Sequence, residues 1–199
     1  TRRYENKTFP LNLDYHLMKA RVTVLAAESN DSAINMMTEW SKRSDPVLKS
    51  AGQYGLVMAH LANFDPVAAR EHLRPLLEAK PSKIAYILAD AKIHSSAERY
   101  DEALAILEEA LAINTKNYPI TMAYADVLLK ANKPKQAADA LVVIIPERPN
   151  DTEVWYLLAE AYGLANDIIG VHEARAEYFV LVGNLEQAIK QLGFAMPLV

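Results

Sequence analysis

Residues 155–162 read WYLLAEAY, with large aromatic side chains at Trp155 and Tyr162, Leu158 between them and the small Ala159 beside it. Trp155 and Tyr162 lie one helical turn to either side of Ala159, so the three share one face of a helix. The same arrangement returns when the chain is written in lines of 34 residues beginning at Ser50, Ile84, Tyr118 and Thr152. The small position is then Val57, Ala91, Ala125 and Ala159; its neighbours are Gln53, Ile87, Thr121, Trp155 and His60, His94, Leu128, Tyr162. A second set of columns reads Ala69, Ala103, Ala137, Val171 and, four residues later, Leu73, Leu107, Leu141, Arg175.

Within each line the apolar residues recur at helical spacing in two blocks, parted by polar breaks such as Ala62-Asn-Phe-Asp65, Ser95-Ser-Ala-Glu98 or Ala131-Asn-Lys133. Each line is therefore read as a helical hairpin. Small residues recur where two helices cross, because a larger side chain there would hold the backbones apart at a cost of roughly 1–3 kcal/mol. Asp65-Pro66 and Lys133-Pro134 set proline in the first turn of the second helix, where its missing N–H is harmless. Asn150 with Glu153 reads as a capping box, and Pro75 is expected to kink the helix that contains it.

A two-helix unit of this length with these columns resembles the tetratricopeptide repeat (TPR). Trp155-x-x-Leu158-Ala159-x-x-Tyr162 matches the first half of its pattern, and Tyr100-Asp-Glu-Ala103 with Leu107, Ala110 and Leu111 matches the second. The expected fold is all-α, a right-handed superhelical solenoid of about five to six repeats with atypical ends. It is drawn as one domain over 1–199, with repeats near 12–45, 50–83, 84–117, 118–151 and 152–182 and a final half-displaced hairpin over 168–195. Stacked hairpins of this kind present an extended concave wall made by their first helices. On that wall we place Tyr54 and Met58, Leu88 and Lys92, Met122 and Asp126, Tyr156 and Glu160, a series suited to an extended or helical peptide with apolar anchors. The same stripe could instead be covered by the chain's own carboxy-terminal segment or by another domain of the same polypeptide.

The 199 residues are 51 % hydrophobic and 23 % charged, with a formal net charge of −4 and no cysteine. The balance excludes disorder, and without a Lys/Arg-rich block a phosphate-neutralising surface for nucleic acid is not expected. The run Leu141-Val-Val-Ile-Ile145 is too short to cross a bilayer, so no membrane insertion is expected. Opening on Thr-Arg-Arg, the chain reads as a piece of a longer protein.

The stretch Gly170-Val-His-Glu-Ala-Arg-Ala176 begins as a zinc-protease helix does, but Ala176 stands where the second histidine of His-Glu-x-x-His belongs. One imidazole makes no zinc site, so His172 and Glu173 are read as polar contacts of a repeat helix; stoichiometric zinc on the purified protein would reverse that. His16, His60, His72 and His94 are scattered, and the column of His60 and His94 faces the hairpin interior. No nucleophile elbow or phosphate-cradling glycine loop is present.

Ala159-Glu-Ala-Tyr162, His172-Glu-Ala-Arg175-Ala-Glu177-Tyr178 and Gly183-Asn-Leu-x-Gln-Ala188-Ile-x-x-Leu192 together resemble the carboxy-terminal TPR domain of bacterial periplasmic zinc metallopeptidases of the BepA type. Leu13-x-Tyr15-His-Leu-Met-Lys-Ala20-Arg21 is similar to the helix that follows the peptidase domain in that family. The resemblance implies a non-catalytic interaction module, periplasmic, with no cofactor of its own and zinc in a peptidase domain absent from this chain. It implies as partners that peptidase domain, components of the outer-membrane barrel-assembly machinery and client polypeptides. A stand-alone TPR adaptor with no attached enzyme is the alternative.

Overall fold

The computed structural model describes residues 11–196 and holds eleven α-helices, one 3-10 turn and no strand among them. In chain order the helices are α1 (Leu13–Leu25), α2 (Asn30–Ser41), α3 (Pro46–Ala62), α4 (Pro66–Ala79), α5 (Ile84–Ser96), α6 (Tyr100–Ile113), α7 (Tyr118–Lys130), α8 (Pro134–Val142), α9 (Thr152–Leu164), α10 (Ile168–Leu181) and α11 (Leu185–Ala195). The chain is thus all-α. It divides into two compact units, residues 1–97 and 98–199.

The helix starts follow local chemistry. Asn12, Ser29, Asp45, Asp65, Asn117, Asp151, Asp167 and Asn184 each turn a side-chain oxygen onto first-turn N–H groups that lack an intrahelical acceptor. Pro46, Pro66 and Pro134 occupy the first helical position, where no donor is required. The cap of α9 is Asp151 rather than the expected Asn150: its carboxylate accepts from the N–H of Glu153 at 3.1 Å and of Val154 at 3.4 Å. A charged oxygen at a helix N-terminus gains from the macrodipole as well as from the hydrogen bonds, which favours Asp over its Asn neighbour. Pro75 lies inside α4, and the helix continues four residues past it.

The 34-residue period is written into the backbone as well as the side chains. Phe64, Glu98, Asn132 and Asn166 all take positive φ, between 56° and 59°, each two residues before the helix that follows. Gly183, half a period after Asn166, has φ 78°. At four of these corners the next N–H reaches back to the carbonyl five residues earlier, as Asp65 to His60 at 2.9 Å and Lys133 to Leu128 at 2.8 Å, which ends the helix with its carbonyls satisfied. Phe64 and Glu98 hold a conformation that costs a residue with a Cβ about 1–2 kcal/mol, so position in the repeat, and not residue type, sets the turn.

In residues 1–97, α3 packs against α1, α2 and α4, and α5 packs against α3 and α4. Leu17, Met37, Val57, Ala69, Leu73 and Ile93 lie in one buried cluster. The helix backbones come closest at Gly52, where an added Cβ would lie 2.5 Å from the Trp40 carbonyl carbon and 2.7 Å from the Ser41 Cα. In residues 98–199, α6 through α11 pack each against the next, with Ala103, Leu107, Ala125, Leu128, Ala137 and Leu141 buried.

The small columns are buried where the 34-residue lines place them, with one shift. In α10 the buried small residues are Gly170, Ala174 and Ala176, whereas Val171 is half-buried and Arg175 exposed. The register thus moves back by one residue, from Val171 and Arg175 to Gly170 and Ala174, in a helix that packs against α9 and α11. A Cβ at Gly170 would sit 2.8 Å from the Tyr162 ring, so glycine is what admits that aromatic.

Candidate protein-binding faces

His172 lies on α10 with its Nδ1 2.8 Å from Oε1 of Gln191 on α11 and its ring 5.4 Å from that of Phe194. Gln191 is buried. A buried amide left without a partner costs about 1–3 kcal/mol, so this pair satisfies a core polar group between two helices. The other unit has a parallel: His72 Nδ1 on α4 meets Gln53 Oε1 on α3 at 2.9 Å, and the His72 ring stacks on that of His60 at 5.3 Å. Burial first, and then the neighbouring His60, holds the His72 pKa below the ordinary histidine value. His60 is half-buried and His94 buried, as their shared column requires. Among the described residues no group of three or more His, Asp or Glu could hold a metal ion, and no helix is long and apolar enough to cross a membrane.

In residues 1–97, Tyr54, expected on an open wall, is 6 % exposed. It belongs to the same buried cluster as Leu17, Ala20 and Val24 of α1, and its ring lies 6.0 Å from that of Tyr86. Burial raises the Tyr54 pKa, with the Arg21 charge opposing. The reason for the correction is α1, which lies on α3 and covers the face that the repeat pattern alone leaves open. Met58 and Leu88 are half-buried, and Lys92 is exposed.

In residues 98–199, Met122 and Asp126 of α7 are half-buried, and the Asp126 carboxylate holds Lys130 one turn on. Tyr156 and Glu160 of α9 are exposed, Tyr156 by 61 %, with its ring tilted against that of Tyr178 of α10, centroids 5.9 Å apart. Exposed aromatic rings of this kind are the anchors that protein interfaces favour.

Two apolar faces were not singled out in the sequence. On α1 and the residue pair before it, Leu11, Tyr15, Met18, Val22 and Leu25 are all exposed, Leu25 by 75 %. On α11 and the residue that caps its end, Leu185, Ile189, Leu192 and Met196 are exposed likewise. Both sets step by four and three residues and so form one stripe per helix. The signal was legible as periodicity; exposure was not, since an amphipathic helix reads the same whether its apolar face is covered or bare.

A tetratricopeptide-repeat family profile matches residues 95–161. The beta-barrel assembly-enhancing protease of Escherichia coli is 30 % identical over 183 residues, 92 % of this chain and 37 % of that protein. Its counterpart in Vibrio cholerae is 32 % identical over 192 residues, 95 % of this chain and 39 % of that protein. The chain thus spans less than two fifths of the length of the curated relatives it matches. Among solved structures, a thermophilic TPR protein of Thermus thermophilus superposes with a TM-score of 0.66 at 15 % identity, over 93 % of this chain and all of that one. MamA of Desulfovibrio magneticus superposes with a TM-score of 0.58 at 17 % identity, over 75 % of this chain and 94 % of that one. The chain is therefore an all-α protein of the tetratricopeptide-repeat fold, similar along nearly its whole length to part of the beta-barrel assembly-enhancing proteases.

Proposed function

We propose that this chain is the non-catalytic, protein-binding part of a longer periplasmic zinc metallopeptidase that acts in the assembly and quality control of outer-membrane barrel proteins. The observation that carries the reading is the match of 92 % of the chain to a minor part of a protease, in a sequence that contains no His-Glu-x-x-His. Zinc then belongs to the remainder of the polypeptide, and the helical hairpins bind that remainder, barrel-assembly components or client chains. Exposed Tyr156 and Glu160 on α9 and the bare stripe of α1 supply surfaces for such partners.

The test is direct binding, by biolayer interferometry, of this chain to a separately expressed peptidase domain of the same polypeptide and to purified barrel-assembly components. Binding to at least one of these is expected, and Met18→Glu with Val22→Glu should weaken capture of the peptidase domain at least tenfold by placing charge in the α1 stripe. No binding to any of them at tens of micromolar protein would overturn the proposal. Metal analysis of the full polypeptide should find its zinc retained when residues of the present chain are removed.

A further inference from the structure

In residues 1–97 a cavity of about 220 Å³ is lined by His16 and Lys19 of α1, Trp40 of α2, Arg43 just beyond it, and Leu48 of α3. Three of these five side chains are basic or can become so, and none is acidic, in a chain whose net charge is −4. Neither Lys19 nor Arg43 makes an ion pair among the described residues; the nearby Glu39 carboxylate is held by Lys42 at 2.7 Å. The Lys19 ammonium lies over the Trp40 ring, 5.7 Å from its centroid, so a cation and an aromatic wall are held together. His16 has a buried Nδ1 without a hydrogen-bond partner.

Unneutralised cations beside an apolar wall fit an anion that carries an apolar group. The volume lies below the roughly 300–1,000 Å³ of sites for drug-sized ligands and suits a single amino-acid residue. A chain's last residue bears a carboxylate and a side chain on one Cα and can enter from one side. An internal Asp or Glu brings no apolar group of its own, and its chain would have to pass in and out.

We propose that this cavity receives the C-terminal carboxylate of a peptide whose last side chain is apolar, with Arg43 and Lys19 on the carboxylate and Trp40 and Leu48 against the side chain. The choice of a peptide over a small free acid rests on the protein-binding role proposed above.

The test uses the 15N-labelled chain, whose two tryptophans, Trp40 and Trp155, each give one indole N–H signal. The probes are the peptide Gly-Ser-Gly-Ser-Gly-Leu with a free carboxylate, the same peptide amidated, its relative with an internal Glu and an amidated end, and inorganic phosphate. The free acid should shift the Trp40 indole and leave that of Trp155 in place, and amidation should weaken binding at least tenfold. Arg43→Gln and Lys19→Gln, changes at exposed residues whose fold is checked by far-ultraviolet circular dichroism, should each weaken the acid at least fivefold. Equal binding of acid and amide, equal binding of phosphate or of the internal-Glu peptide, or no Trp40 shift at millimolar peptide would each overturn the assignment. A chain that captures its peptidase domain but ignores the acid loses only this cavity; one that binds the acid but none of the proteins loses the proposed role.

Discussion

Replacing Gly52 by alanine tests the claim that close helix crossings organise the repeats. The new Cβ would fall 2.5 Å from the Trp40 carbonyl carbon, 2.7 Å from the Ser41 Cα and closer still to the Ser41 nitrogen, all backbone atoms that no rotamer change can clear. Alanine gains about 1 kcal/mol over glycine in a helix interior. Forcing α2 from α3 costs about 1–3 kcal/mol and sometimes more, and this overlap belongs at the top of that range because only a backbone shift relieves it. The net expectation is a loss of about 2 kcal/mol. Gly163→Ala is the matched control, since its Cβ would meet only the Val171 Cγ2 at 3.6 Å, ordinary contact, and it should gain up to about 1 kcal/mol. The two variants thus differ by about 3 kcal/mol, or roughly 1–2 M in urea midpoint at an m-value of about 2 kcal/mol per molar, read by far-ultraviolet circular dichroism. Midpoints that coincide, or a Gly52→Ala protein as stable as its parent, would refute the packing argument.

Three further outcomes follow from the same coordinates. Gln191→Ala should lower unfolding stability by about 1–3 kcal/mol, because it removes a buried amide and strands His172 Nδ1, and denaturant melts measure it. Asp151→Ala should cost about 1 kcal/mol as the loss of a helix cap, whereas Asn150→Ala should stay within about 0.5 kcal/mol, a contrast that thermal melts resolve. Tyr86, Tyr118 and Tyr124 are each raised to about 12, chiefly by burial, with Tyr54, Glu153 and Glu108 respectively the leading neighbours. Their folded-state values exceed the ordinary 10, so the stability they contribute is intact below pH 10 and drains away between pH 10 and about 12, as the unfolded chain ionises first. Ultraviolet phenolate titration against melting temperature over that window checks the sign.

Much of the hairpin pattern was legible because helix faces and crossings are local arithmetic. Ala69, Ala103 and Ala137, with Leu73, Leu107 and Leu141 one turn on, are buried where their columns put them. The start of α9 was misread by one residue. Asp151, not Asn150, caps α9 because adjacent polar residues compete for a cap and the charged one gains more from the helix dipole. His172, read as a polar contact of a repeat helix, makes that contact with Gln191, nineteen residues away.

Sequence alone determined that the chain is helical, that it repeats every 34 residues, and which residues are small enough to lie at crossings, because propensity, periodicity and side-chain volume are properties of the residues themselves. Tertiary structure alone decided which apolar faces are covered. Tyr54 disappears beneath α1 while Tyr15, Met18 and Val22 stay bare, and α10 buries Gly170 and Ala174 in place of Val171 and Arg175. Burial belongs to a pair of surfaces, and a one-dimensional pattern describes only one of them.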